Sequence, residues 1–82
     1  MTLHTSSGWR VVARFDGSTG DGFDVVRLAD TLAEADQWLR DTLGKVIRTG
    51  YYNTVTRRVG WAQVQTRHGG GEWLPVGQGA TA

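Results

Sequence analysis

Residues 59–76 read VGWAQVQTRHGGGEWLPV, and the way the two halves of this stretch pair decides the fold. From Val59 to Arg67 the chain alternates. Ala62, Val64 and Thr66 share one side of an extended strand, and Trp61, Gln63, Gln65 and Arg67 share the other. His68 to Gly71 reads as a turn and Glu72 to Val76 as the returning strand, with Leu74 and Val76 on one side and Trp73 and Pro75 opposite. Burying Ala62, Val64, Leu74 and Val76 together requires an odd loop of three or five residues. An even loop would set Trp73 beside Val64 and Leu74 beside Gln65. Register follows the face that can be buried, so the odd loop is expected, with Trp61 and Trp73 both pointing outward. Pro75 has no N–H for a ladder, which places the last strand at a sheet edge.

Upstream lies the clearest helical signal. Thr31 followed by Glu34 is a capping-box pattern, with Asp30 adding negative charge at the helix start. Leu32, Ala35, Leu39 and Leu43 recur at helical spacing, with Trp38 beside them. Val46 and Ile47 continue that stripe, and Lys45 and Arg48 suit a helix end. The reading is therefore a helix over 31–48, with Gly44 as the earlier stop and Gly50 as the later one. Tyr51 to Arg58 is ambiguous between a connection and the start of a strand.

Further upstream, Trp9, Val11, Ala13 and Phe15 alternate with Arg10, Val12 and Arg14, and Phe23 to Leu28 carries two β-branched residues. The turn-rich run between them, from Asp16 to Gly22, makes this a β-hairpin with a loop of about six residues. Residues 1–7 and 77–82 have no periodicity or anchor and read as frayed ends around an ordered core of about 9–76. The expected fold is α+β: two hairpins in a small antiparallel sheet, with one α-helix on one face (ββαββ) and a single domain over 1–82. Leu32, Ala35, Leu39 and Leu43 are expected to meet Val11, Ala13, Val64 and Leu74.

The chain has 82 residues, 39% hydrophobic and 21% charged, with a net charge of +1, which excludes collagen-like, coiled-coil and strongly disordered classes. No apolar run reaches the ~18 residues of a membrane helix, and none resembles a leader. With no cysteine there is neither a disulfide framework nor a thiolate metal site, and a cytoplasmic location is the simplest expectation. Eight of the nine basic residues are Arg, and a skew towards Arg, Ala, Gly, Val and Trp is the codon signature of a GC-rich genome, as in actinobacteria and their phages.

Catalytic chemistry finds little to work with. His4 and His68 have no carboxylate or serine at local spacing, and no His pair stands at i, i+3 or i+4. Asp16, Asp21 and Asp24 lack the alternating oxygens of a calcium loop, and Arg27 stands where its closing Glu belongs. Gly20-Asp21-Gly22 joins two strands and lacks the third glycine of a dinucleotide loop, and Gly44-Lys45 is followed by Val46 instead of Ser or Thr. No enzyme activity, catalytic residue, metal, cofactor or small-molecule substrate is expected.

Binding is the remaining class. Trp61, Gln63, Gln65, Arg67 and Trp73 on one outward face are residue types that anchor protein interfaces, and the expected role is accessory or regulatory. The expected partner is another protein or a second copy of the chain, since one helix leaves the other sheet face open. The alternative is nucleic acid. Residues 1–39 carry −3, while residues 40–67 carry +5 and interleave Arg48, Arg57 and Arg58 with Tyr51 and Tyr52. A pI near 8.3 is too low for charge alone to argue that case. Arg58 to Ala62 also lacks the alternating aromatics of an RNA-recognition strand.

Overall fold

Val55–Arg67 forms one strand of 13 residues, and four of the five other strands pair with it. In the computed structural model, which describes residues 8–52 and 54–82, the chain order is β1 (Gly8–Phe15), β2 (Val25–Ala29), α1 (Leu32–Thr42), β3 (Val46–Thr49), β4 (Val55–Arg67), β5 (Leu74–Pro75) and β6 (Ala80–Thr81). The fold is α+β: a curled antiparallel sheet, half a barrel, ordered β2-β1-β4-β3 with one helix on it. One edge of β4 is taken by β1 from Val59 to Arg67. The other edge is shared end to end by β3 opposite 55–58, β6 opposite Trp61–Ala62 and β5 opposite Gln65–Thr66. Ala82 N–H donates to the Gly60 carbonyl and Val76 N–H to that of Val64, so little of this edge is bare.

A β-bulge sets which side chains face the helix. Arg14 pairs with Trp61 but Phe15 pairs with Val59, leaving Gly60 as the extra residue. The bulge brings Val59 onto the same side as Ala62 and Val64 and bends the strand. A Cβ at Gly60 would collide with the Asp16 carboxylate, so a larger residue there displaces that group from Arg58, which it holds at 2.7 Å. The core under α1 is Val11, Ala13, Ala35, Val59, Ala62 and Val64, with Trp38, Leu39, Leu43 and Ile47 packed around it.

The helix is shorter than its stripe suggests. It stops at Thr42. Leu43 leaves the helical region while its N–H still bonds to the Leu39 carbonyl, and Gly44 takes φ +85. Gly44 N–H then donates to the Val59 carbonyl and Val59 N–H to that of Lys45, which turns 46–49 into a strand. Leu43 and Ile47 both reach the core, so the stripe reports burial, and its helical period beyond Gly44 is a coincidence.

Other expectations change with it. β4 begins at Val55 and not Val59, and the returning strand is Leu74–Pro75 where Glu72 to Val76 was expected. The first loop runs from Asp16 to Asp24, longer than expected. Leu32 and Leu74, expected in the core, are 45% and 54% exposed, because β5 lies at the margin and Leu32 is the first helical residue. Residues 80–81, expected to fray, are strand; residues 1–7 lie outside the described residues.

The N-cap bond forms, while the returning bond of the capping box goes one residue further back, to Asp30 in place of Thr31. Thr31 Oγ1 accepts the Glu34 N–H at 3.1 Å, and Glu34 Oε2 accepts the Asp30 N–H at 3.3 Å. Thr31→Ala is expected to lower the unfolding free energy by about 1 kcal/mol, read as a lower urea midpoint with an unchanged slope.

Candidate functional site

The odd register is observed. Thr66 pairs with Leu74 and Gln65 with Pro75, so Trp73 follows Arg67 onto the face turned away from α1. Across that face β4 supplies Trp61, Gln63, Gln65 and Arg67. β1 supplies Arg10, Val12 and Arg14, which pair with Gln65, Gln63 and Trp61. β2 adds Leu28 opposite Arg10 and Val26 opposite Val12. All five residues singled out from the sequence are thus brought together, and Arg10, Arg14, Phe23, Val26 and Leu28 join them.

Cations and rings alternate along the face. The Arg67 and Arg10 guanidinium carbons lie 4.7 and 4.6 Å from the centre of the Trp73 ring. Arg10 also lies 5.9 Å from Phe23, and Arg14 lies 5.3 Å from Phe23 and 6.0 Å from Trp61. Phe23 stacks on Trp61 at 6.2 Å with 10° between the planes. Beneath the rings runs a chain of amides. Arg10 Nε donates to Gln65 Oε1 at 2.8 Å, and Gln65 Nε2 donates to Gln63 Oε1 at 3.1 Å. Val12, although it points away from the helix, is fully buried under this layer.

The two tryptophans differ. Trp61 is held by its own chain: Phe23 stacks on it, and a Cβ at Gly79 would run into its indole. The indole and Arg14 also line a shallow, open pocket of about 330 Å³. Trp73 touches the two guanidinia and sits at the outer end of the face, while exposed Leu74, paired with Thr66, points to the other side of the sheet.

Electrostatics mark the Trp73 end. Arg10 gives up its proton more readily than an ordinary guanidinium, first because it is partly buried and second because Arg67 repels it. Arg14 Nη2 reaches the Asp21 carbonyl at 3.3 Å, while its Nε is enclosed without a partner.

Phe23 is positioned by its neighbour Asp24. That carboxylate accepts the Phe15 N–H at 2.9 Å, and the Asp24 N–H donates to the Ala13 carbonyl at 3.0 Å. The Asp24 carboxyl lies below its ordinary value of 3.8, mainly through a hydrogen bond from Ser18, then through the Phe15 amide, with Arg57 and Arg14 adding to it. A depressed carboxylate stabilises the fold fully above the unfolded value and loses that contribution as pH falls through the folded value. Wild-type melting temperature is therefore expected to drop more steeply below about pH 4 than that of Asp24→Asn, measured by circular dichroism in steps of pH.

The basic segment is distributed differently. Register puts Arg48 and Arg58 on one face of the β3–β4 hairpin and Arg57 on the other. Arg58 is paired with Asp16, Arg57 lies 5.9 Å from the Phe15 ring, and Arg48 donates to Thr54 Oγ1 at 3.4 Å. Tyr51 and Tyr52 meet edge to face near the hairpin tip, each 89% exposed. The five residues are not gathered on one surface.

Among the described residues no three of His, Asp and Glu converge to hold a metal, and no helix is long and apolar enough to cross a membrane. Comparison of the chain with protein-family models, curated proteins and solved structures gives no match.

Proposed function

We propose that this is a small non-enzymatic accessory or regulatory module that works by docking another protein on the sheet face opposite α1. The supporting observation is that Trp73 lies against both Arg10 and Arg67, and that exposed Leu28 stands opposite Arg10 on the same face with Val26 further along β2. Trp and Arg supply most of the energy at the centre of protein interfaces, and exposed aliphatic neighbours exclude water around them. Gln63 and Gln65, tied into one hydrogen-bonded chain, keep Arg10 in place. Affinity capture with wild type, Trp73→Ala and Tyr51→Ala/Tyr52→Ala tests the reading. The expected partner is retained by wild type and the double tyrosine variant and lost by Trp73→Ala. Equal retention by all three would remove the face from consideration.

A second reading, nucleic-acid binding, is favoured by the open tyrosine rings near the tip of a basic hairpin. It predicts a mobility shift of DNA or RNA at low salt that collapses steeply as salt rises and is lost in the tyrosine variant. No shift at low salt would eliminate it.

A further inference from the structure

We infer that the outer edge of β2 is a self-association site, where β2 of a second copy adds antiparallel with Leu28 beside Leu28. This surface is separate from the docking face proposed above and does not depend on it.

β2 has β1 on one side, and among the described residues no strand lies on the other. Register shows which groups that edge offers. In an antiparallel ladder the N–H and C=O of one residue point to the same side, and successive residues alternate. The Val64 carbonyl accepts the Val76 N–H, so Val64 points its polar groups away from β1. Val11, opposite Val64, therefore turns its own towards β2, and Arg27, opposite Val11, returns them. Val26 and Leu28 are left with N–H and C=O aimed at the open edge. The Asp30 N–H has the same parity and goes to Glu34 Oε2, outside the ladder. The side chains at these two positions are apolar and exposed, 50% at Val26 and 69% at Leu28. An apolar edge with open backbone groups is a template for another strand.

Three two-fold registers are centred on 26–28, and charge separates them. Centred on Arg27, the pairing sets Arg27 against its own copy and Asp24 against Asp30, so like charges meet at the axis and at both ends. Centred on Val26, it sets Leu28 against Asp24, whose N–H is already given to the Ala13 carbonyl and whose carboxylate holds the Phe15 N–H. Centred on Leu28, it joins the two leucines through paired N–H and C=O groups and lets each Val26 N–H reach the Asp30 carbonyl opposite. Arg27 then lies opposite Ala29 of the second copy. Ala29, Glu34, Trp38 and Asp41 line an open pocket of about 230 Å³ between β2 and α1, and the one cation among its lining residues is Arg27 of the same chain. The incoming Arg27 brings a second cation to those two acids, and the two-fold axis repeats this in the other copy. Only the Leu28-centred register sets opposite charges together.

The test is sedimentation velocity of the full chain between about 10 µM and 1 mM, a range suited to an interface of so few residues. ¹⁵N spectra are recorded over the same range. Expected is a monomer–dimer equilibrium in which the Val26 and Leu28 amide signals move with concentration. Leu28→Pro removes an edge N–H that β1 does not use, and Leu28→Lys sets two cations at the axis without altering the backbone. Each is expected to weaken the dimer at least tenfold. Arg27→Gln reads the register, since it weakens a Leu28-centred dimer and tightens an Arg27-centred one. Trp73→Ala leaves association unchanged. A monomer at the highest concentration overturns the inference, as does a dimer that Leu28→Lys leaves intact or that Arg27→Gln tightens. Loss of the dimer in Trp73→Ala moves self-association to the docking face and overturns it too. So does protection of the Val26 and Leu28 amides from exchange that is equal at every concentration, because another part of the chain then holds the edge.

Discussion

Trp73→Ala is expected to weaken capture of the partner by at least thirtyfold while moving the melting temperature by only a few degrees. Removing a Trp from the centre of an interface costs about 2 kcal/mol or more, and 1.4 kcal/mol is a factor of ten. Here the loss is compounded because both guanidinia rest against that ring, 4.6 and 4.7 Å from its centre. Without the platform Arg10 and Arg67 regain rotamer freedom that binding must remove again. The fold loses less, since Trp73 precedes the two-residue β5 and lies outside the helix-side core. Trp61→Ala is the informative contrast. Its ring is held between Phe23 and the segment around Gly79, so its removal should lower stability as well as binding. Capture and thermal melts of both variants decide the matter. If Trp73→Ala unfolds as readily as Trp61→Ala, the ring is structural and the docking proposal loses its anchor.

Val12→Ala is expected to destabilise as much as Val11→Ala although the two side chains point to opposite sides of β1. Both are fully buried, one beneath α1 and the other beneath the layer of Arg, Phe and Gln side chains. Deleting two methyl groups at either site costs about 2 kcal/mol, counting transfer and the cavity left behind. In a domain of this size that lowers the melting temperature by roughly 10 °C. Val26→Ala, half exposed on the same face, should cost no more than about 0.5 kcal/mol. Melts of the three variants check the ordering. A Val12→Ala curve matching that of Val26→Ala would mean that the outer layer does not seal the sheet.

The α+β class and the parity of the last hairpin were legible because alternation is local and a one-residue slip reverses every side chain. The burial expected to set that parity is only partial. Leu74 and Val76, assumed buried, are 54% and 37% exposed, and Trp73 has its contacts with Arg10 and Arg67 on the other side. The helix end was ambiguous because Leu43 and Ile47 reach the core in a helix–turn–strand as readily as a longer helix would suggest. Only the pairing of 46–49 with 55–58, a tertiary matter, decides it. Phe23 looked like the first residue of a strand, so its place over Trp61 had no local signal. Arg10 and Arg14 were visible as the polar side of β1, yet nothing in their spacing says that β4 lies next to β1 with Trp61 opposite Arg14.

β4 as a shared spine also shapes how the chain acquires its structure. During synthesis β1 has only β2 beside it until residues 55–67 have been made, and α1 emerges with only the β1–β2 part of its platform in place. Pairing partners so distant in sequence must close a large loop before any of that contact is rewarded, which makes for slow, all-or-none assembly. The interval before closure, with the first hairpin's valines uncovered, is when a nascent chain is most exposed to aggregation and to chaperones.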